Sequence, residues 1–213
     1  MNSKEMKKFL ECIKKGEISI EDGIDKLKDS SYSDLGFAKI DNQRELRVGY
    51  PEVIYCEGKT VEQIKGIVNL MLTKDVNILG TRASKAMFEG VKEVCDDAEY
   101  NELARTIVIK KKKVELQSTY IALVTGGTSD IPVAEEAAIT AEIFGNRVER
   151  IYDVGVAGIH RLFENLDVIR RARVVITVAG MEGALTSVVG GLVDKPVIAV
   201  PTSVGYGANF KGL

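Results

Sequence analysis

The sequence is poor in several residue types that specialised proteins require. It contains no tryptophan, one histidine and three cysteines in 213 residues. Cys12, Cys56 and Cys95 are too few and too scattered for a disulfide framework, and none belongs to a C-x-x-C pair. No apolar run approaches the roughly 20 residues that cross a bilayer, and the N-terminus lacks the apolar segment of a signal peptide. These absences predict a cytoplasmic protein that does not bind membranes.

An excess of positive charge is also missing. The formal net charge is −2 at pH 7, whereas general binding to nucleic acid needs clustered lysine and arginine. We therefore expect no nucleic-acid partner. The apolar content of 45% is enough for a core of normal size, and the length allows one large domain or two small ones.

The first half of the chain reads as two pieces. Residues 1–33 predict a helical appendage of two short amphipathic helices that ends in a polar linker at Ser30–Ser33. Residues 34–115 predict a small α/β region in which strands alternate with helices, which is typical of a parallel layer. Within it, a charged loop follows Asp41, and Thr60 and Gln63 form a capping-box pattern for a helix from Val61. The lysine run 110–113 is interpreted as a solvated hairpin or a linker between two subdomains.

Residues 116–213 form a nearly continuous series of strands and helices. This pattern predicts a three-layer parallel sheet domain, so the whole chain is assigned to the α/β class. The predicted strands are Tyr120–Val124, Val148–Tyr152, Val174–Val178 and Val197–Val200. The predicted helices are Ala134–Phe144, Leu162–Arg171 and a small-residue helix from about Gly183 to Leu192, in which Gly190 and Gly191 suit close packing at a subunit interface.

Each predicted strand of this region ends in glycines with small polar or charged residues. The four segments are Gly126–Asp130, Gly155–Arg161, Gly180–Glu182 and Thr202–Gly207. Because ligands of open parallel sheets bind at the carboxyl ends of strands, four such ends predict one binding crevice. The first segment is a glycine turn before a capped helix, which suits a phosphate or carboxylate. The alternative is a tight turn with ordinary helix capping.

Several side chains are candidates for chemistry. His160, the only histidine, lies in a glycine-flanked loop and suits a general acid or base, a phosphate contact or a structural role. Glu182 opens a helix after an apolar strand; it suits a base, a metal ligand or a carboxylate that stabilises the helix dipole.

The arginines of the first half are candidates of a different kind. Arg44 and Arg47 lie in the charged loop, and Arg82 follows a strand. Guanidinium groups suit carboxylates and phosphates. The alternative is surface ion pairing with Glu45 and Glu52.

Ordered motifs make the chain similar to a known family. They are Asp41-x-x-Arg44-x-x-Arg47-x-Gly49-x-Pro51-Glu52-Val53-Ile54, Gly58-Lys59, Thr81-Arg82-Ala83, Gly126-Gly-Thr-Ser-Asp-Ile-Pro132, Gly158-Ile-His-Arg161, Ala179-Gly-Met-Glu-Gly-Ala184 and Val204-Gly-Tyr-Gly207. Gly126–Asp130 resembles the phosphate-binding G-S-x-S-D turn of PurE, the N5-carboxyaminoimidazole ribonucleotide mutase. The whole string resembles the related LarB family, the pyridinium-3,5-biscarboxylic acid mononucleotide synthases of nickel-pincer cofactor synthesis.

The resemblance implies a flavodoxin-like, PurE-like C-terminal domain and a specific reaction. Nicotinic acid adenine dinucleotide is carboxylated at pyridinium C5 with CO2 as co-substrate, and its phosphoanhydride is hydrolysed to release AMP. A cysteine thiolate first adds to the ring and makes C5 nucleophilic. The resemblance also implies a divalent metal such as Mg2+, with unassigned ligands, and a homo-oligomer, by analogy an octamer.

Placement in the chain and the resemblance together give expected roles to residues of this sequence. The expected catalytic residues are Glu182, His160 and Asp130. The expected substrate-binding residues are Gly126, Gly127, Thr128, Ser129, Arg161, Gly180, Met181, Arg44, Arg47 and Arg82.

Two departures from the pattern keep other functions open. The family's nucleophilic cysteine lies in a segment beyond Leu213 and aligns with no cysteine here, so we expect the chain to be truncated; a nucleotide-binding module without catalysis is then the alternative. PurE carries a histidine near the position of Leu185-Thr186-Ser187. Its absence disfavours the other alternative, an aminoimidazole ribonucleotide carboxylase or mutase.

Overall fold

The computed structural model describes residues 3–29 and 32–203. The helices are α1 (Ser3–Lys14), α2 (Ile20–Asp29), α3 (Arg44–Val48), α4 (Val61–Leu72), α5 (Lys85–Lys92), α6 (Ile131–Ile143), α7 (Ile159–Glu164), α8 (Leu166–Arg171) and α9 (Ala184–Leu192). The strands are β1 (Tyr32–Asp34), β2 (Lys39–Asp41), β3 (Ile54–Tyr55), β4 (Ile78–Thr81), β5 (Glu99–Asn101), β6 (Thr106–Ile109), β7 (Tyr120–Thr125), β8 (Arg147–Ile151), β9 (Val174–Ala179) and β10 (Val197–Pro201). The motif Val204–Gly207 lies outside the described residues.

The chain divides into two compact units. One comprises Met1–Tyr100 with Ile107–Lys112, and the other comprises Asn101–Thr106 with Lys113–Leu213. Each unit has hydrophobic clusters of its own. Within residues 3–29 and 32–203, no helix has the length and apolar character that crossing a membrane requires.

The core of the first unit lies between α4 and a small sheet. α4 begins at Thr60, whose hydroxyl accepts from Gln63 N while Gln63 Oε1 accepts from Thr60 N, so the predicted capping box is confirmed. The buried side chains of α4 occur at helical spacing, which places them on one face of the helix. They are Ile64, Ile67, Val68 and Met71, and they cluster with Ile78, Ile107 and Ile109 of the strands.

The sheet of this unit is mixed, so the prediction of a parallel layer is wrong. Its strand order is β3-β4-β6-β5. β3 is parallel to β4, whereas β4 is antiparallel to β6, with Ile78 opposite Ile109. The sequence did not predict β5, a short strand of polar residues. The turn at residues 102–105 reverses the chain between β5 and β6. This reversal accounts for the antiparallel pairing of β6 with β4.

The charged loop after Asp41 contains a helix, contrary to expectation. Asp41 Oδ1 accepts from Gln43 N at 3.0 Å just before α3, and Glu52 Oε2 accepts from Asp41 N at 2.6 Å. α3 ends at Gly49, whose φ of 84° glycine adopts without strain. Arg44 and Arg47 are therefore placed on a short capped helix.

Two segments that were predicted as linkers make defined contacts where the structure describes them; Ser30 and Ser31 lie outside the described residues. Tyr32 and Ser33 belong to β1, which pairs with β2 in an antiparallel ribbon. In the lysine run, the Lys111 and Lys112 N–H groups both donate to Asn77 Oδ1, at 2.9 and 2.8 Å. Lys112 Nζ also lies 3.0 Å from Asp75 Oδ2. A buried amide thus fixes the backbone at Lys111 and Lys112, in the segment where the first unit ends and the second resumes at Lys113.

The second unit confirms the predicted PurE-like α/β architecture. Its sheet has the order β10-β9-β7-β8, and all three pairings are parallel. After β7 the chain moves to one side for β8 and then to the other side for β9 and β10. The order therefore reverses between β7 and β9, which is where open parallel sheets bind ligands.

Alternate residues of β7 face opposite helical layers, as the pleat of a strand requires. Leu123 clusters with Ala134 and Ala138 of α6 on one face. Ala122 and Val124 belong to the cluster of α7, α8 and α9 on the other face. Because both faces are covered, β7 is apolar from Ile121 to Val124, and the unit has three layers. The predicted helix Leu162–Arg171 is instead split into α7 and α8 at Asn165.

Candidate functional site

The turn after β7 is shaped by a buried carboxylate. Asp130 is 4% exposed. Its Oδ2 accepts from Gly127 N at 2.9 Å, and its Oδ1 accepts from the Thr202 hydroxyl at 2.7 Å. Asp130 makes no side-chain cap bond to α6. Its carboxylate therefore ties the turn to the end of β10 instead of capping the helix as the sequence suggested.

Two backbone N–H groups of the same turn already donate hydrogen bonds within the chain. Gly126 N donates to Val178 O at 2.9 Å, and Gly127 N donates to Asp130. Two of the N–H groups expected to hold an anion thus have partners. Thr128 and Ser129 are exposed, so their hydroxyl groups are the parts of the turn that face solvent.

The loop after β8 lies directly against the turn after β7. Asp153 N donates to the Thr125 hydroxyl at 2.9 Å, and Val154 N donates to Thr125 O at 3.0 Å. A Cβ on Gly155 would lie 2.5 Å from Gly126 O, so only glycine allows this approach. The structure therefore brings two of the predicted strand ends together.

His160 and Arg161 lie in α7, not in a loop as predicted. His160 is exposed. Arg161 is partly buried, and its Nη1 donates to Asp153 Oδ2 at 2.5 Å. Asp153 is not among the residues predicted from the sequence, although it immediately precedes the glycine-bracketed segment Val154–Arg161. Asp153 has a left-handed backbone with φ of 57°.

The turn after β9 carries the remaining candidates of this unit. Gly183 N donates to Gly180 O at 3.1 Å, and Met181 has a left-handed φ of 53°. Glu182 is exposed and precedes α9 instead of lying in its first turn. Thr202 N donates to Ala179 O at 3.0 Å, which joins the ends of β9 and β10. Four strand ends thus meet at one edge of the sheet.

The three candidate arginines of the first half belong to the first unit. Arg47 forms an ion pair with Asp41, and this bond is the main reason that the pKa of the Asp41 carboxyl is lowered. The partner suggested by the sequence, Glu45 or Glu52, is therefore wrong for Arg47. Arg44 is exposed on α3. Arg82 follows β4 with a left-handed φ of 55°.

Cys56 and the possible metal-binding side chains can be examined in the described residues. Cys56 is fully buried, and burial raises the pKa of its thiol to about 11, which leaves almost no thiolate at neutral pH. In the part of the chain that the structure describes, no three His, Cys, Asp or Glu side chains form a metal-binding group. Mg2+ held through substrate phosphates needs only one or two carboxylates, so the metal stays a prediction from resemblance.

Sequence comparisons agree with this architecture. Residues 32–112 match the family model for the LarB/PurE-like N-terminal domain, and residues 120–212 match the model for AIR carboxylase. An uncharacterised protein of Methanocaldococcus jannaschii is 38% identical over 224 residues, which cover 99% of this chain and 86% of that protein. The N5-carboxyaminoimidazole ribonucleotide mutase of the same organism is 40% identical over 96 residues, covering 44% of this chain and 56% of the mutase. The chain therefore belongs to the LarB family, in which a LarB-type N-terminal domain precedes a PurE-like AIR carboxylase domain.

Proposed function

We propose that the protein is a carboxylase and hydrolase acting on nicotinic acid adenine dinucleotide in nickel-pincer cofactor synthesis. The products would be pyridinium-3,5-biscarboxylic acid mononucleotide and AMP. The observation that carries this proposal is the pairing of a LarB-type N-terminal domain with an AIR carboxylase domain on one chain. The domain match alone indicates a carboxylase-type enzyme, and the substrate is the part that we propose.

The proposed carboxylation needs a nucleophilic ring carbon. A thiolate adds to the pyridinium ring, and the new C–S bond neutralises the ring and makes C5 electron-rich. C5 then forms a bond to the carbon of CO2. A base removes the C5 proton, and the electron pair of the broken C–H bond restores the aromatic ring as the thiolate leaves. Water separately cleaves the phosphoanhydride.

Side chains at the carboxyl edge of the second sheet suit these roles. Glu182 is a solvent-facing carboxylate on the turn after β9 and is our candidate base for the C5 proton. His160 is our candidate acid or base for the hydrolysis. Ser129, Thr128 and Arg161 offer hydroxyl and guanidinium donors to the phosphates.

Cys56 does not supply the thiolate that this proposal requires. Its thiol is buried beside Gly80, where a Cβ on that glycine would lie 3.0 Å from Sγ. Its raised pKa of about 11 disfavours the reactive thiolate form. Alkylation of the native protein should therefore not act through Cys56.

Mass spectrometry tests the proposal. The protein is incubated with nicotinic acid adenine dinucleotide, bicarbonate and Mg2+, and the products are identified by mass. We expect the dicarboxylated mononucleotide and AMP. Glu182→Gln should lower the rate at least about a hundredfold, while the exposed control Glu89→Gln should not. Binding of the dinucleotide without turnover would instead indicate the non-catalytic nucleotide-binding module.

The similarity to the ribonucleotide mutase supports a second candidate, action on aminoimidazole ribotides. The geometry disfavours it at the segment where PurE carries a histidine. There Leu185 is buried in the core, and the Thr186 hydroxyl lies 2.7 Å from the Thr177 hydroxyl. Turnover of an aminoimidazole ribotide, with none of the dinucleotide, would establish this alternative and eliminate our first proposal.

A further inference from the structure

The turn after β7 begins with two glycines, which by themselves allow many backbone conformations. Gly126 lies against the end of β9, where a Cβ on this glycine would be 3.3 Å from Ala179 Cβ. Gly127 is held by its N–H group, which donates to Asp130 Oδ2 at 2.9 Å. The Asp130 carboxylate therefore fixes the part of the turn that leads into residues 128–129.

The Asp130 carboxylate is itself buried and has few partners. It is 4% exposed, and within residues 3–29 and 32–203 no lysine, arginine or histidine forms an ion pair with it. Its hydrogen bonds come from Gly127 N and from the Thr202 hydroxyl, which lies 2.7 Å from Oδ1. A buried carboxylate depends on such donors, because each lost bond leaves an acceptor with neither water nor a protein partner. The orientation of Asp130 thus depends on Thr202.

Thr202 is held in place independently of Asp130. It directly follows β10, is 6% exposed, and donates from its N–H group to Ala179 O at 3.0 Å. Because β9 lies between β7 and β10 in the sheet, the Thr202 hydroxyl reaches across the end of β9 to the turn. A β-branched side chain also has restricted rotation about χ1. The strand order of the sheet, and not the turn itself, therefore determines where this donor lies.

The anchored turn gives the solvent-facing hydroxyl groups of Thr128 and Ser129 a defined position. In a glycine turn without an anchor, a ligand would have to order the backbone as it binds. The conformational entropy lost in that ordering would weaken the affinity. The bond from Thr202 to Asp130 reduces this cost before a ligand arrives.

We propose that Thr202 is a positioning residue for ligand binding: through Asp130 it holds the turn after β7 in the conformation that receives a ligand phosphate. Thr202 acts without touching the ligand. The proposal rests on the proposed function in one respect, that the ligand carries a phosphate, as the dinucleotide does.

Hydrogen–deuterium exchange tests the positioning without any ligand. Thr202→Val keeps the shape of the side chain and removes the hydroxyl donor. We expect the Gly127 N–H group, followed in peptides that span the turn, to exchange about tenfold faster in this variant. Thr202→Ser keeps the donor and should exchange nearly as slowly as wild type. An unchanged rate in Thr202→Val would overturn the proposal.

Calorimetric titration with nicotinic acid adenine dinucleotide measures the consequence for binding. We expect Thr202→Val to weaken the affinity about tenfold and Thr202→Ser to bind within about threefold of wild type. Tyr120→Phe is the matched control, because it removes a hydroxyl that donates to Val168 O, also at 2.7 Å, at the opposite end of β7. This control should lose stability but keep wild-type affinity. Wild-type affinity in Thr202→Val, or an equal loss in Tyr120→Phe, would contradict the positioning role.

A double-mutant cycle shows whether Thr202 acts through Asp130. In an Asp130→Ala background, Thr202→Val should cause little further loss of affinity. Additive losses would show that Thr202 acts on the ligand by another route and would overturn the proposal. If Asp130→Ala does not fold, the exchange rate and the affinity of Thr202→Val decide the question without it.

Ribose 5-phosphate separates the fate of this proposal from that of the proposed function. If wild type binds ribose 5-phosphate but not the dinucleotide, the proposed function is refuted. Thr202→Val should then still weaken binding of the sugar phosphate about tenfold, and wild-type affinity for it would overturn the positioning role. If wild type binds neither ligand, both proposals are refuted.

Discussion

The buried polar and ionisable residues of this protein fall into two kinds. Some bury polar groups that hold loops in shape, as Asp130 does for the turn after β7. Others bury groups that ionise only at a free-energy cost, and Cys56 is the clearest example. The second kind makes folding stability depend on pH, because the unfolded chain ionises where the native chain does not.

Cys56 predicts a loss of stability in alkali. Its thiol pKa is raised by burial from 9.0 to about 11. Below pH 9 both states are protonated; above it, the unfolded thiol releases its proton first, and the free energy of unfolding falls until about pH 11. We expect this one thiol to remove about 2 kcal/mol by pH 10.5.

Urea denaturation at pH 7.5 and 10.5 measures this effect. Cys56→Ala should be less stable than wild type at pH 7.5 because it leaves a small cavity. It should lose about 2 kcal/mol less than wild type between the two pH values. Cys95→Ala keeps Cys56 and should show the wild-type fall. An equal fall in wild type and Cys56→Ala would contradict the assignment.

At the scale of elements, helices are fitted closely onto their neighbours. Arg150 on β8 bonds Glu135 and Glu142 of α6, with Nε to Glu135 Oε1 at 2.9 Å and Nη1 to Glu142 Oε1 at 2.6 Å. This places charge on an edge strand, where it discourages pairing with other chains. In the first unit, α4 and α5 approach through a glycine, Gly90, which is buried.

Gly90→Ala should destabilise the protein despite the helix preference of alanine. A Cβ at this position would lie 2.3 Å from Val61 Cγ1, and a valine in a helix has little freedom to move aside. We expect a net loss of about 1–2 kcal/mol, because the overpacking exceeds the gain from helix propensity.

A cycle with Val61→Ala checks the cause. The smaller side chain makes room for the new methyl group, so Gly90→Ala should be neutral or stabilising in that background when unfolding is followed in urea. An undiminished loss in the double variant would show that the cost does not come from Val61.

Sequence patterns predicted elements whose character is local. α9 and β7 were placed almost to the residue, because an apolar strand bounded by glycine and a small-residue helix are readable from neighbours alone. α3 was missed because its start depends on Asp41, which is in turn held by Glu52. The direction of β6 was missed because it depends on the unpredicted β5.

In the candidate site, too, some features could be predicted from local sequence and others could not. Glycine and polar clusters at strand ends predicted which segments meet at one edge of the sheet, and that a ligand binds there stays a prediction. The left-handed φ of Asp153 and the bond from Thr202 to Asp130 could not be read locally, since each depends on a residue of another strand.

At the scale of the whole molecule, the proposed homo-oligomer can be tested on α9. Among residues 3–29 and 32–203, a Cβ on Gly190 or Gly191 would meet no atom within 4 Å, so contacts within this part of the chain do not explain these glycines. Gly190→Leu should fit an isolated chain and improve its helix propensity. If α9 packs against a neighbouring subunit, as we predict, the same change obstructs that contact.

Light scattering after size-exclusion chromatography measures the outcome. We expect a smaller assembly for Gly190→Leu and an unchanged one for Glu89→Leu, an exposed substitution on α5. An assembly of wild-type size in Gly190→Leu would remove α9 from the interface.

The hydrogen bond between Thr202 and Asp130 joins residues 72 positions apart. Because a ribosome releases the chain from its N-terminus, the turn after β7 leaves the exit tunnel long before its second anchor exists. Until β10 emerges, one carboxylate oxygen of Asp130 lacks the partner that it has in the finished fold. The turn after β7 thus reaches its final shape only after β10 has emerged, and synthesis interrupted before residue 202 would leave Asp130 without this bond.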